Sequence, residues 1–82
     1  MIMGFVKNYL IVDNETNDLL GWYDSLKVAK QAIKERYPND RIVRAVYYEY
    51  ENGDASSWAC GADFEQAKRN FNKHIFDNWS EF

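Results

Sequence analysis

The sequence predicts an α+β domain built as ββαββα: two ββα units forming one antiparallel four-stranded sheet with both helices on one face. Three observations predict it. Two amphipathic stretches lie 38 positions apart (64 − 26), so that Leu26, Ala29, Lys30, Ile33 and Tyr37 fall on Phe64, Ala67, Lys68, Phe71 and Ile75. Each stretch follows two runs rich in β-branched and aromatic residues, and each pair of runs is joined by turn-forming residues. A structural repeat and a coincidence between two amphipathic helices both satisfy this spacing. The 82 residues make a single domain, 1–82, with units at about 5–37 and 41–79.

Phe5 to Val12 reads as the first strand, and Asp13-Asn14-Glu15-Thr16-Asn17-Asp18 has no apolar residue and reads as a hairpin loop. Leu19 to Tyr23 completes the hairpin, with Gly21 marking a bulge or a close approach. Asp24 is the expected N-cap of the first helix, with Tyr23 and Val28 placed as a hydrophobic staple. Leu26, Ala29, Ile33 and Tyr37, widened by Val28 and Ala32, form the apolar stripe, and Pro38 ends the helix.

Arg41 to Glu51 alternates as a strand, and Asn52-Gly53 predicts a two-residue type I′ hairpin turn. That register opposes Glu51 to Asp54, Tyr50 to Ala55 and Tyr47 to Trp58. It places Val43, Ala45, Tyr47, Trp58 and Cys60 on one face and Ile42, Arg44, Val46, Tyr48, Tyr50, Ser57 and Ala59 on the other. The Trp58 face has fewer charges and is expected beneath the helices, leaving Arg44, Tyr48 and Tyr50 to look outward. Asp63 caps the second helix, with Gln66 at capping-box spacing. Phe64, Ala67, Phe71, Ile75 and Trp79 line it to near residue 79.

The segment Leu20-Gly21-Trp22-Tyr23-Asp24-Ser25, running into Ala29 and Ala32, resembles the last strand and following helix of plant-type DNA-binding domains and the related integrase arm domains. Those families read DNA from basic strands, whereas the hairpin here is acidic. The resemblance implies a shared way of turning from strand to capped helix.

Composition narrows the chemistry. One cysteine, Cys60, permits no internal disulfide and no cysteine-based zinc site; it is expected as a small buried side chain. No apolar run approaches the ~20 residues that cross a bilayer, and no secretory signal opens the chain, so the expected location is the cytoplasm. Asp13, Glu15, Asn17 and Asp24 imitate an EF-hand count, but Asp18 stands where the turn needs Gly. Cys60 and His74 are too far apart for a catalytic pair, because ten helical residues separate them by ~15 Å. No catalytic, metal or cofactor-binding residue is expected, and the protein is read as no enzyme.

Net charge is −3, unevenly spread. Lys27 to Arg44 carries six basic and two acidic residues; the remainder carries four basic and eleven acidic ones. The leading expectation is a small binding protein that modulates a protein partner, its aromatic surplus supplying the anchors: Arg44, Tyr48, Tyr50, Phe76, Trp79 and Phe82. Part of that surface could serve a homodimer, through an open sheet face or through Phe76 to Phe82. Abundant Asn, Tyr and Lys fit an AT-rich source such as a bacteriophage, hence an accessory or inhibitor acting in a host cytoplasm. The alternative is a nucleic-acid-binding regulator using Lys27, Lys30, Lys34, Arg36, Arg41 and Arg44.

Overall fold

The computed structural model describes residues 4–82; residues 1–3 of the expected domain lie outside the described residues. The elements are β1 (Gly4–Val12), β2 (Leu19–Tyr23), α1 (Leu26–Arg36), β3 (Arg41–Glu49), β4 (Ala59–Gly61), α2 (Phe64–Asn72) and a 3₁₀ turn (Trp79–Glu81). The sheet is antiparallel in the order β2-β1-β3-β4, and the ββαββα prediction holds.

The two halves are arranged about the central β1–β3 pair. Gly4 and Val12 bound β1, Arg41 and Glu49 bound β3, and both ends differ by 37 positions (41 − 4 and 49 − 12). Asn8 and Ala45 differ by the same 37 and are each other's pairing partners, so the pseudo-twofold axis passes between them. The helices begin at Leu26 and Phe64, at the predicted offset, and place Ala29 and Ala67 at equivalent positions with no exposed surface. A small side chain at these positions lets each helix pack closely on the sheet.

Both helices lie over the same sheet face. Phe64, Ala67 and Phe71 of α2 pack on Val46 and Ala59. Tyr9, on that face, meets Phe64 edge-on with ring centroids 5.3 Å apart. Tyr9 pairs with Tyr23, which shares a shallow cleft with Val28 and Ala32 of α1.

This corrects the face assignment. Val43, Ala45 and Cys60 are buried with Leu10 and Val12, but beneath Leu19, Trp58, Trp79 and Phe82; the helices cover the opposite face, with Arg44, Val46 and Tyr48. Because both faces are covered, strand alternation alone could not tell which one lay under the helices.

Several local expectations are also corrected. Ser25, not Asp24, is the N-cap of α1, and its side chain makes no capping bond. The β3–β4 turn is a three-residue loop: Gly53 N–H donates to Tyr50 O at 3.0 Å, Tyr50 N–H donates to Asp54 O at 2.8 Å, and Gly53 alone in the turn has positive φ, 91°. This is a type I turn with a glycine bulge. The hairpin closes on Glu49 opposite Ala55, and the ladder resumes at Val46 opposite Ala59, in the predicted register. Ser56 N–H still donates to Tyr48 O at 2.9 Å, and residues 57–58 leave the ladder between.

Asp63 does cap α2, accepting from Gln66 N–H at 2.8 Å while Gln66 Oε1 accepts from Ala62 N–H at 2.7 Å. The helix ends at Asn72 rather than near Trp79. His74 takes a left-handed conformation, φ 58°, its N–H donating to Phe71 O while Ile75 N–H donates to Asn70 O. That pair of bonds is a Schellman stop. Ile75 therefore leaves the apolar stripe and is exposed, and Trp79 reaches the opposite sheet face.

Candidate functional site

The reversal after α2 builds one wall of an open cleft on the surface. Beyond a second left-handed residue, Asp77 at φ 55°, the chain crosses the sheet face opposite the helices. Asp77 N–H donates to Trp58 O at 2.8 Å. The returning segment is then fastened from below. Trp79 Nε1–H donates to Asn17 O at 2.7 Å, and the Arg41 guanidinium donates to the carbonyl oxygens of Asp13, Trp79 and Phe82 and to Oδ1 of Asn14 and Asn17.

Between this segment, the β3–β4 hairpin and the edge of β2 lies an open cleft of about 510 Å³. All three tryptophans of the chain line it, Trp22, Trp58 and Trp79, although they come from distant parts of the sequence. Tyr47 adds a fourth ring, and Asn8, Asp24, Asp77, Ser56 and Ser57 supply polar groups. Asn8 sits on the pseudo-twofold axis and is only 3% exposed; its Nδ2 donates to Lys7 O at 3.0 Å. Trp22 and Trp58 meet at 6.1 Å between centroids with planes tilted by 50°, and Trp22 is 61% exposed.

The cleft is acidic as well as aromatic. No basic side chain lines it, and among the described residues neither Asp24 nor Asp77 has a cation within ion-pairing distance. Burial, reinforced by the Asp77 charge, pushes the Cys60 thiol up to about 12. A thiol so held is neutral and unreactive. Trp58 Nε1 is the one buried side-chain polar atom of the described residues without a hydrogen-bond partner.

The predicted partner-binding residues divide between two faces. Tyr48 and Tyr50 join Phe5, Phe71 and Phe76 in an aromatic cluster at one end of α2, with centroid separations of 5.0 to 6.2 Å. Tyr48 is half-buried there, whereas Tyr50 and Phe76 are exposed. Trp79 and Phe82 pack on the opposite side against the Leu10–Val43 core, so the sheet has no fully open face for a dimer. Arg44 lies on the helix side, 5.9 Å from the Tyr9 ring centroid.

The predicted nucleic-acid set also divides. Lys27, Lys30, Lys34 and Arg36 are exposed along α1. Arg41 is occupied by the hairpin and the C-terminal turn, and Arg44 is half-buried beside Tyr9. The Asp13 carboxylate, the first of the imitated calcium ligands, accepts from Glu15 and Thr16 N–H at 2.7 and 2.9 Å. These bonds favour its charged form and hold its pKa below the usual carboxylate value.

Sequence reasoning missed Trp22, Trp58, Tyr47, Asp24, Asp77 and Asn8 as site residues. The available signal was the identity of the tryptophans, since a third of them at an exposed strand edge exceeds what a small core requires. No family model, no curated protein and no solved structure matches the chain.

Proposed function

We propose that the protein is a non-enzymatic binding module that engages a protein partner through the tryptophan cleft. The observation that supports the reading is the convergence of all three tryptophans and Tyr47 on one open cleft, with Trp22 left largely in water. Large aromatic side chains at a concave surface are the usual energetic anchors of protein association. The Arg41 bonds and the Trp79–Asn17 bond hold the cleft walls in place beforehand, which lowers the ordering cost of binding. A modulating role on a host protein is consistent with the composition of the chain.

Affinity capture with the wild-type domain, Trp22→Ala and a Tyr50→Ala/Phe76→Ala double variant tests this. The expected result is a partner retained by the wild type and the double variant and lost with Trp22→Ala. Retention by Trp22→Ala and loss with the double variant would move the interface to the aromatic cluster beside α2.

A nucleic-acid role rests on the exposed Lys27, Lys30, Lys34 and Arg36. It predicts a mobility shift at low salt that Lys30→Glu/Lys34→Glu abolishes. This reading draws on four of the six cations first grouped together, and Tyr48 and Tyr50, the rings expected to stack bases, lie instead in the aromatic cluster at the end of α2.

A further inference from the structure

We infer that the cleft is a receptor for the guanidinium side chain of an arginine presented by the protein partner. The inference rests on the reading of the cleft as a protein-binding site and adds the chemistry of what enters it.

Three features select the occupant. The walls are aromatic, formed by Trp22, Tyr47, Trp58 and Trp79, and the negative quadrupole of an aromatic face attracts a cation, above all a planar one. The charged groups of the lining are both carboxylates, Asp24 and Asp77. Asp24 and Asp77 have no cation of their own among the described residues, and Asn8 retains Oδ1 as an acceptor because its Nδ2 is used on Lys7 O.

The surrounding chain has the same sign. Between Arg44 and Lys68 there is no basic residue, but there are five acids, Glu49, Glu51, Asp54, Asp63 and Glu65. The hairpin that supplies one wall therefore adds attraction at longer range.

Arginine fits this set better than lysine. Its acceptors come from β1 (Asn8), the residue following β2 (Asp24) and the C-terminal crossing (Asp77), not from one point. A guanidinium lying against an indole keeps five in-plane N–H donors free for acceptors around it, whereas an ammonium concentrates three on one atom. Trp22 and Trp58, 6.1 Å apart between centroids, do not form a parallel slot, so an entering ion stacks on one ring only and its edge stays available. At about 510 Å³ the cleft lies within the range of formed ligand sites.

The indole N–H signals provide the test, because each of the three tryptophans lines the cleft. ¹⁵N-labelled protein is titrated with N-acetyl-arginine amide, the neutral isostere N-acetyl-citrulline amide, and N-acetyl-lysine amide, for the wild type and for Asp24→Asn and Asp77→Asn. Asn tolerates the left-handed backbone at residue 77, so the latter variant removes charge without straining the fold.

The expected result is saturable movement of the Trp22 and Trp58 signals with the arginine amide. Citrulline should bind about tenfold more weakly, as should each Asn variant, the loss that one charge-assisted contact represents. Equal binding of citrulline, equal binding of lysine, or no movement of any indole signal with the arginine amide would overturn the inference. If a captured partner depends on Trp22 but binds the Asp24→Asn/Asp77→Asn double variant undiminished, the arginine assignment falls while the binding-module reading stands. If no captured partner depends on Trp22, the binding reading itself falls.

Discussion

Trp79 donates its indole N–H to the carbonyl oxygen of Asn17 across 2.7 Å, so the last turn of the chain is bonded to the tip of its first hairpin. Asn17 is held there in a left-handed conformation, φ 62°, and Arg41 bridges the same two segments from β3. The cleft wall that carries Asp77 and Trp79 is thus anchored at its far end by polar bonds, while apolar packing of Trp79 and Phe82 on the core holds its underside.

Arg41→Ala is expected to destabilise the domain by about 1–3 kcal/mol, because it removes the charge-assisted hydrogen bonds that tie β3 to the first hairpin and to the C-terminal turn. Urea denaturation measures this. Arg41→Lys should recover less than half of the loss, since one ammonium cannot reach acceptors spread over Asp13, Asn14, Asn17, Trp79 and Phe82. Hydrogen exchange at the Trp79 indole should quicken in both variants.

Trp58→Phe and Trp58→Ala should differ sharply. The phenyl ring keeps most of the packing and removes the unpartnered buried Nε1–H, so its cost is expected to stay below about 1 kcal/mol. Truncation to alanine should cost about 3 kcal/mol. Thermal unfolding of the two variants checks the contrast.

Gly61 is where α2 comes down on the sheet. A Cβ there would lie 2.6 Å from Ala67 N and 2.9 Å from Gln66 Cβ, closer than real atoms pack, and backbone cannot swing aside as a side-chain tip can. Gly61→Ala is expected to destabilise by about 1–3 kcal/mol and to broaden the amide signals of α2.

Cys60 gives the domain an alkaline limb. Its folded pKa is raised, by burial first and by Asp77 second, to about 12 from an ordinary 9.0. The unfolded chain therefore loses the proton first as pH rises, and stability falls between those two values. Cys60→Ala should flatten this part of the stability–pH profile, the tyrosines being common to both proteins. A thiol reagent should leave native Cys60 unmodified at neutral pH and react on unfolding.

Much of the architecture was legible in the sequence because local rules and tertiary packing agree there. Pro38 stops α1, Asp63 caps α2, and Ala29 and Ala67 mark where each helix touches the sheet. The second helix was overextended because nothing in Asn72-Lys73-His74 announces a stop; histidine occupies the left-handed place that glycine usually fills. Ile75 and Trp79 continue the helical period by chance of spacing. The face assignment failed because Ile42 and Val46 on one side are as apolar as Val43 and Ala45 on the other. The cleft was legible only in part: the hairpin register set Tyr47 opposite Trp58, but Asp77 and Trp79 join them only through that unannounced reversal.

The most direct measurement is the ¹H–¹⁵N spectrum of the labelled domain with its captured partner. The three indole signals, Trp22, Trp58 and Trp79, are expected to shift or broaden together. Unmoved indoles, with changes confined to the amides of Tyr50 and Phe76 or of Lys27, Lys30 and Lys34, would contradict it.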